Sequence, residues 1–252
     1  MGISIAGSPV GIPPAFTYRN GFTIIEDFAR ADNLNLYPFE GEDGTDDFTL
    51  DESGVFADAT NQGVYIANRQ TLQQFGQLRN ERFEFFLDEF ASLRIIWGWH
   101  LTAFTTGAPE LACAMGIGVA SSNIGPCITN QCAGFYFTTD WVARCGAANS
   151  IPDNNIVPRV RNTSGVIVNY GAAQPIAPFL AQWNTSEIRW TRSAAQPLEF
   201  YLNGALAGQG AAPDWILNVQ MKWSYNSLQA IAASPDDVIA FDWIKYVATM
   251  NR

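Results

Sequence analysis

Histidine is almost missing from this chain, and positive charge is scarce. There is one histidine, His100, and 14 Lys and Arg stand against 24 Asp and Glu. A Ser-His-Asp or Cys-His catalytic arrangement would have to use that one imidazole. No G-x-S-x-G, H-E-x-x-H or phosphate-cradling glycine loop accompanies it. The net charge of −10 and pI near 4.5 argue against nucleic acid as a ligand, since a polyanion is held by basic patches that release its counterions. The scattered basic residues disfavour an anionic membrane surface for the same reason.

No apolar run approaches the length of a membrane-spanning helix. The opening Met1-Gly-Ile-Ser-Ile-Ala lacks the basic region and sustained apolar stretch of a secretory signal, and it lacks the hydroxyl residue a myristoylation signal places sixth. The expectation is a protein made in a cytosol and not exported by its own signal. The cysteines, Cys113, Cys127, Cys132 and Cys145, do not form the close pairs of a zinc finger or ribbon. Free thiols and a bridge formed after release both remain open.

What is abundant is apolar and aromatic material: 48% and 13% of residues, with only 15% charged. At 252 residues the chain suits one large all-β domain, residues 21–252, preceded by an arm over 1–20. Two stretches organise it. In Glu187-Ile-Arg-Trp-Thr-Arg-Ser, Ile188 and Trp190 face opposite to Glu187, Arg189 and Thr191. In Leu198-Glu-Phe-Tyr-Leu-Asn-Gly204, Leu198, Phe200 and Leu202 face opposite to Glu199 and Tyr201. Period-two alternation of this kind predicts half-buried strands. Ala194–Pro197 is short enough for the hairpin between them, and Asn203-Gly204 supplies a positive-φ turn.

Further strands are predicted at Phe22–Phe28, Gly63–Ala67, Phe83–Phe90, Leu93–Leu101, Cys113–Val119, Val157–Arg161, Gly165–Asn169, Trp215–Trp223 and Val238–Val247. A hairpin is predicted over Gly134–Arg144. Arg69–Leu78 reads as a helical turn or a loop, and Glu40–Glu52 as an acidic loop. About a dozen strands, no strong helix pattern and no internal repeat make two packed antiparallel sheets the natural outcome.

The "EIRW" strand, the short break, "FYLNG" and the closing Val238-Ile-Ala-Phe-Asp-Trp-Ile-Lys-Tyr-Val247 together resemble the concanavalin A-like jelly roll. That superfamily includes legume lectins, laminin G-like modules and family 16 glycoside hydrolases. The resemblance spans residues 21–249 and implies an all-β antiparallel sandwich. It speaks to fold more than to activity. The hydrolases carry E-x-D-x-x-E or E-x-D-x-E on one mid-chain strand, because a retaining mechanism needs carboxylates only ~5 Å apart. Nothing here matches: between 91 and 139 the acidic residue is Glu110 alone, and Glu84 with Asp88 lacks the spacing. The expectation is a protein that is not an enzyme, with no catalytic residue, cofactor or metal.

Other features read blandly. His100 is expected to be a strand histidine satisfied by a loop. Asp43, Asp46 and Asp47 could hold calcium, frequent in such domains, but lack the D-x-[DN]-x-[DN]-G pattern, so a solvated loop is preferred. Asn162 and Asn184 match the glycosylation pattern by chance in a chain without an export signal. Trp97, Trp99, Trp141, Trp183, Trp190, Trp215, Trp223 and Trp243 could stack on sugars, and most read as core.

A sandwich without a catalytic pair or export signal, with few charges and an apolar arm, is similar to virion proteins of tailed bacteriophages. The resemblance implies a capsid decoration or stabilising protein, assembled in the host cytoplasm and displayed on the virion surface. The arm, through Ile12, Pro13, Pro14 and Phe16, would dock on a neighbouring subunit or the shell. The partners implied are other virion proteins, the major capsid protein first, and copies of the chain itself, a trimer ahead of a dimer. A surface glycan is the alternative partner, for a lectin-like or receptor-binding tail module. A glycoside hydrolase comes third.

Overall fold

The computed structural model describes residues 21–26, 39–41, 48–51, 64–67, 75–80, 84–101, 111–119, 131–138, 151–214, 219–229 and 239–251. The described strands, in chain order, are β1 (Phe22–Glu26), β2 (Phe39–Gly41), β3 (Phe48–Asp51), β4 (Val64–Ala67), β5 (Phe75–Asn80), β6 (Phe90–Leu101), β7 (Leu111–Val119) and β8 (Cys132–Thr138). They continue with β9 (Asn155–Arg161), β10 (Ile167–Asn169), β11 (Gln174–Pro175), β12 (Trp183–Thr191), β13 (Leu198–Leu202), β14 (Ala205–Gly210), β15 (Met221–Gln229) and β16 (Ile239–Met250).

Two eight-stranded antiparallel sheets result. The first runs β14-β13-β12-β6-β16-β4-β3, with β1 also on β16; the second runs β10-β9-β8-β7-β15-β5-β2, with β11 on β9. The alternation in the sequence decides what lies between them. From β6 come Leu93, Ile95, Trp97, Trp99 and Leu101; from β12 Ile188 and Trp190; from β13 Leu198, Phe200 and Leu202. The second sheet answers with Cys113, Met115, Ile117, Phe135, Phe137, Trp223 and Tyr225.

The aromatic rings set the spacing of the layers. Trp97 meets Phe135 and Trp223 edge-on at 6.2 and 5.8 Å, and Trp99 stacks on Phe137 at 6.2 Å. Such pairs contribute roughly 0.5–1.5 kcal/mol each beyond the area they bury. Both indole N–H groups find acceptors inside the core: Trp97 Nε1 donates to Met115 Sδ at 3.3 Å and Trp99 Nε1 to Ser186 Oγ at 2.9 Å.

Several boundaries differ from expectation. Residues 84–89 do not form the expected strand: Phe85 makes one bridge to Met221, and Leu87–Glu89 form a 3₁₀ turn before β6 begins at Phe90. Phe85, Leu87 and Phe90 are all buried. Strict alternation would send Phe90 to the solvent side, and the turn shifts the parity so that all three enter the core. Of the strand expected at Trp215–Trp223, residues 215–218 lie outside the described residues; β15 begins at Met221 and continues to Gln229, where interleaved Ser224, Asn226 and Ser227 disguise the alternation. Phe75–Leu78, read as helical turn or loop, lies in β5. The ends of the acidic stretch are strands β2 and β3. The hairpin after β12 spans residues 192–197, closed by Thr191 N–H to Pro197 O at 2.9 Å. The turn at Asn203-Gly204 has φ of 48° and 78°, as the dipeptide predicts.

On one side the two sheets are stitched together. Leaving β10, Tyr170 N–H donates to Pro158 O at 2.9 Å, and Gln209 N–H of β14 donates to Tyr170 O at 2.9 Å. The Tyr170 ring packs edge-on against Phe200 at 5.8 Å and its hydroxyl donates to Ala211 O at 2.5 Å. Gly208 makes this approach possible, since a Cβ there would lie 2.6 Å from Tyr170 O and 2.7 Å from its carbonyl carbon. Gly208→Ala is therefore expected to destabilise the fold by about 1–3 kcal/mol. A lower urea midpoint at unchanged slope checks it; an unshifted midpoint would show that the seam yields freely.

Candidate functional site

The two outward faces differ. On the second sheet the outward positions of β7 and β8 are Ala114, Gly116, Gly118, Cys132, Gly134 and Tyr136, all buried. Ala114, Cys132, Tyr136, Ile151 and Val157 form a small second core. Within it Cys132 Sγ lies 2.7 Å from Tyr136 Oη. Burial pushes the Cys132 thiol up to about 12 and raises the Tyr136 phenol, so both stay protonated. Arg159 is buried too, its Nε donating to Asn169 Oδ1 at 2.6 Å, and burial lowers it to about 10. Lys222 is buried beside Gly118, its cross-strand partner. Over β7 and β8 this face is filled.

The first sheet's outward face is partly open to solvent. Its cross-strand rows are fixed by register: Trp183, His100 and Ala240; then Thr185, Gly98 and Trp243; then Glu187, Ile96 and Lys245; then Arg189, Arg94 and Val247. A β-bulge between Phe241 and Trp243 lets Phe241 stay in the core while Trp243 turns outward. The Trp243 indole then lies over Gly98, where a Cβ would fall 2.8 Å from Nε1 and 3.1 Å from Cε2. Trp183 is half-buried one row away, edge-on to the His100 ring at 5.4 Å. His100 is held by the Ala181 backbone, in keeping with its expected role, and burial keeps its pKa below the usual imidazole value.

Two rows further, charge is concentrated. Glu187, almost buried, takes Arg94 and Arg189 together: each Nε lies 2.5 Å from Oε1 and each Nη2 3.2 Å from Oε2. Burial alone would raise the Glu187 carboxyl, but the two guanidinium groups outweigh it and hold the pKa below the usual carboxylate range. Arg189 also lies over the Tyr201 ring, 3.9 Å from its centroid, and Tyr201 Oη donates to Glu199 at 3.1 Å.

Of the tryptophans considered, Trp97, Trp99, Trp190 and Trp223 are core, Trp183 and Trp243 face outward, and Trp141 and Trp215 lie outside the described residues. Also outside them are Ile12, Pro13, Pro14, Phe16, Cys127, Cys145, the calcium candidates Asp43, Asp46 and Asp47, Glu110 and the Thr139-Asp140 turn. Cys113 and Cys132 are free thiols. They sit on opposite faces of the second sheet, so no bridge between them is possible. Asn184 is buried, with its amide donating to Phe179 O and Gln182 O, and cannot accept a glycan. Glu84 and Asp88 do not share a strand face. Among the described residues no group of three or more His, Cys, Asp or Glu side chains could hold a metal.

The pairing of Arg94 with Glu187 joins residues 93 positions apart and was invisible to local pattern. Its only signal was polar residues at alternate positions of two apolar strands. Replacing Glu187 by Gln leaves two opposed arginines with no carboxylate, and should destabilise the fold by about 1–3 kcal/mol. Equal midpoints for Glu187→Gln and the native chain in urea would refute this. Because His100 is favoured neutral in the folded state, stability should be full above the imidazole's ordinary value of 6.5 and fall as pH drops below it. The same titration on His100→Gln should lose that part of the slope; an unchanged profile would remove His100 from the account.

No family model matches the chain, and no curated protein matches it. Solved structures do. Peanut lectin is 11% identical at a TM-score of 0.59, covering 91% of this chain and 99% of the lectin. The metal-free lectin I-B4 of Griffonia simplicifolia is 12% identical at a TM-score of 0.57, over 89% and 98% of the two chains. The endo-1,3-beta-glucanase of Streptomyces sioyaensis is 13% identical at a TM-score of 0.54, over 90% and 95%. At such identities the likeness is one of fold: the chain is an antiparallel β-sandwich of the concanavalin A-like jelly-roll kind, the fold of these lectins and glucanases.

Proposed function

We propose that the chain is a non-catalytic carbohydrate-recognition domain whose binding surface is the outward face of the first sheet. The observation that carries this is Trp243 laid over Gly98, with Trp183 beside His100 one row away. The axial C–H groups of a pyranose present an apolar face that suits an indole π-surface. Thr185 and Lys245, in the same and the neighbouring row, add polar groups for sugar hydroxyls. The lectin neighbours support the reading at the level of fold alone.

The composition of the second sheet supports the non-catalytic part. Glycosidic hydrolysis uses two carboxyl groups flanking the bond. Among the described side chains, outward positions on β7, β8, β9 and β15 hold Ala114, Gly116, Gly118, Cys132, Gly134, Tyr136, Asn155, Val157, Arg159, Arg161 and Lys222, with no carboxylate. A reducing-sugar assay on β-glucans is expected to show no release. Trp243→Ala should weaken binding to whichever saccharide an array identifies by roughly 2 kcal/mol, about 30-fold, without moving the melting temperature. An array without a hit, or full affinity in the variant, would overturn the reading.

A second reading is assembly on a virion surface as a decoration protein, with the partners and host-cytoplasm assembly expected above. One observation favours it. Gly21, at φ 144°, is packed on the Ala248 carbonyl at the end of β16, which fixes the point where the described sandwich begins. Deleting residues 2–18 should then leave the sandwich folded while lowering the mass measured by light scattering. Equal masses with and without the arm would count against assembly through it.

A further inference from the structure

The saccharide face continues from its tryptophans into a positively charged end, and we propose that its ligand is an acidic polysaccharide, one bearing regularly placed carboxylate or sulfate groups. This rests on the reading that the first sheet's outward face binds carbohydrate. Along β6 the distance from His100 to Arg94 is six residues, ~20 Å at the rise of an antiparallel strand, which accommodates several sugar rings in a row.

Three cations occupy that end. Arg94 and Arg189 share the carboxylate of Glu187, and Glu199 stands across from Arg189 on β13, so with Lys245 the group keeps one positive charge. Both guanidinium groups spend Nε and Nη2 on Glu187, and among the described residues no hydrogen bond engages the Nη1 side of either. Their side chains are 44% and 33% exposed, which leaves these donors accessible. A guanidinium fork fits carboxylate and sulfate oxygens bidentately, so an incoming anion meets geometry already fixed by Glu187 and by Tyr201 under Arg189. Lys245 stands between the arginines and Trp243, two residues from the latter on the same strand, with no ion pair to any of the described residues. Asp242, at the bulge, is already engaged.

The net charge of −10 sharpens the case. An acidic protein repels polyanions at large, and local attraction is felt only within a Debye length, roughly 8–10 Å. Binding would therefore be confined to the patch, with little non-specific attachment elsewhere.

The test is titration calorimetry of the full chain with alginate oligosaccharides, a sulfated galactan and a neutral mannan oligosaccharide, at low and high salt. The expectation is binding of an acidic polymer that weakens at least tenfold with salt. Lys245→Gln, which keeps the length of the side chain and removes its charge, should reduce affinity about fivefold and flatten the salt dependence. Arg94→Gln should do the same with a larger loss, and Arg94→Lys should restore part of it. The carboxylated and sulfated probes separate the two anion sources. Binding of neutral mannan equal to that of the acidic probes, with loss in Trp243→Ala, would overturn this inference and leave carbohydrate recognition standing. No binding of any probe by a folded protein would overturn both.

Discussion

The molecule depends on β6 lying between β12 and β16. These are long strands, paired antiparallel on both sides of β6. Everything else takes its place from that spine. Because the side-chain period is two, fixing Trp97 and Trp99 in the core fixes Gly98 and His100 on the other side, and a slip of one residue would exchange them. Burying two indoles inward commits the sheet to its outward face, where a glycine between them is open to coverage from β16. One strand sets both the core and the surface.

The two sheets resolve their outer faces in opposite ways. The second sheet lays small residues on its outward side and closes over them, so that even Arg159 and Lys222 are buried. The first keeps long polar and aromatic side chains at half exposure, tied to one another across strands. Glu187 illustrates the physics: a carboxylate this enclosed is stable only because two cations meet it, and two cations opposed on neighbouring strands are tolerated only because it lies between them. Neither half of that arrangement is viable alone.

Much of the fold was legible because alternation is a local property. Ile188, Trp190, Leu198, Phe200 and Leu202 announce their face without reference to any other strand, and Asn203-Gly204 announces its turn. What failed did so where alternation is interrupted or disguised. At Phe85, Leu87 and Phe90 a turn changes parity within a run that looks uniform. In β15 the polar Ser224, Asn226 and Ser227 hide the continuation of the strand to Gln229. The candidate site was barely legible. Trp243 and Trp183 looked like any other tryptophans, since only the bulge in β16 and the missing Cβ at Gly98 distinguish them. Arg94 and Arg189 meet through a register that no single segment encodes.

The seam at Tyr170 has a mechanical corollary. On that side the sheets are joined by main-chain hydrogen bonds to Pro158 and from Gln209, so they behave as one folded ribbon rather than as two plates held by a greasy interior. Sliding one plate over the other would break directional bonds there. The sandwich is thus fastened at Tyr170, and on that side its two sheets move together.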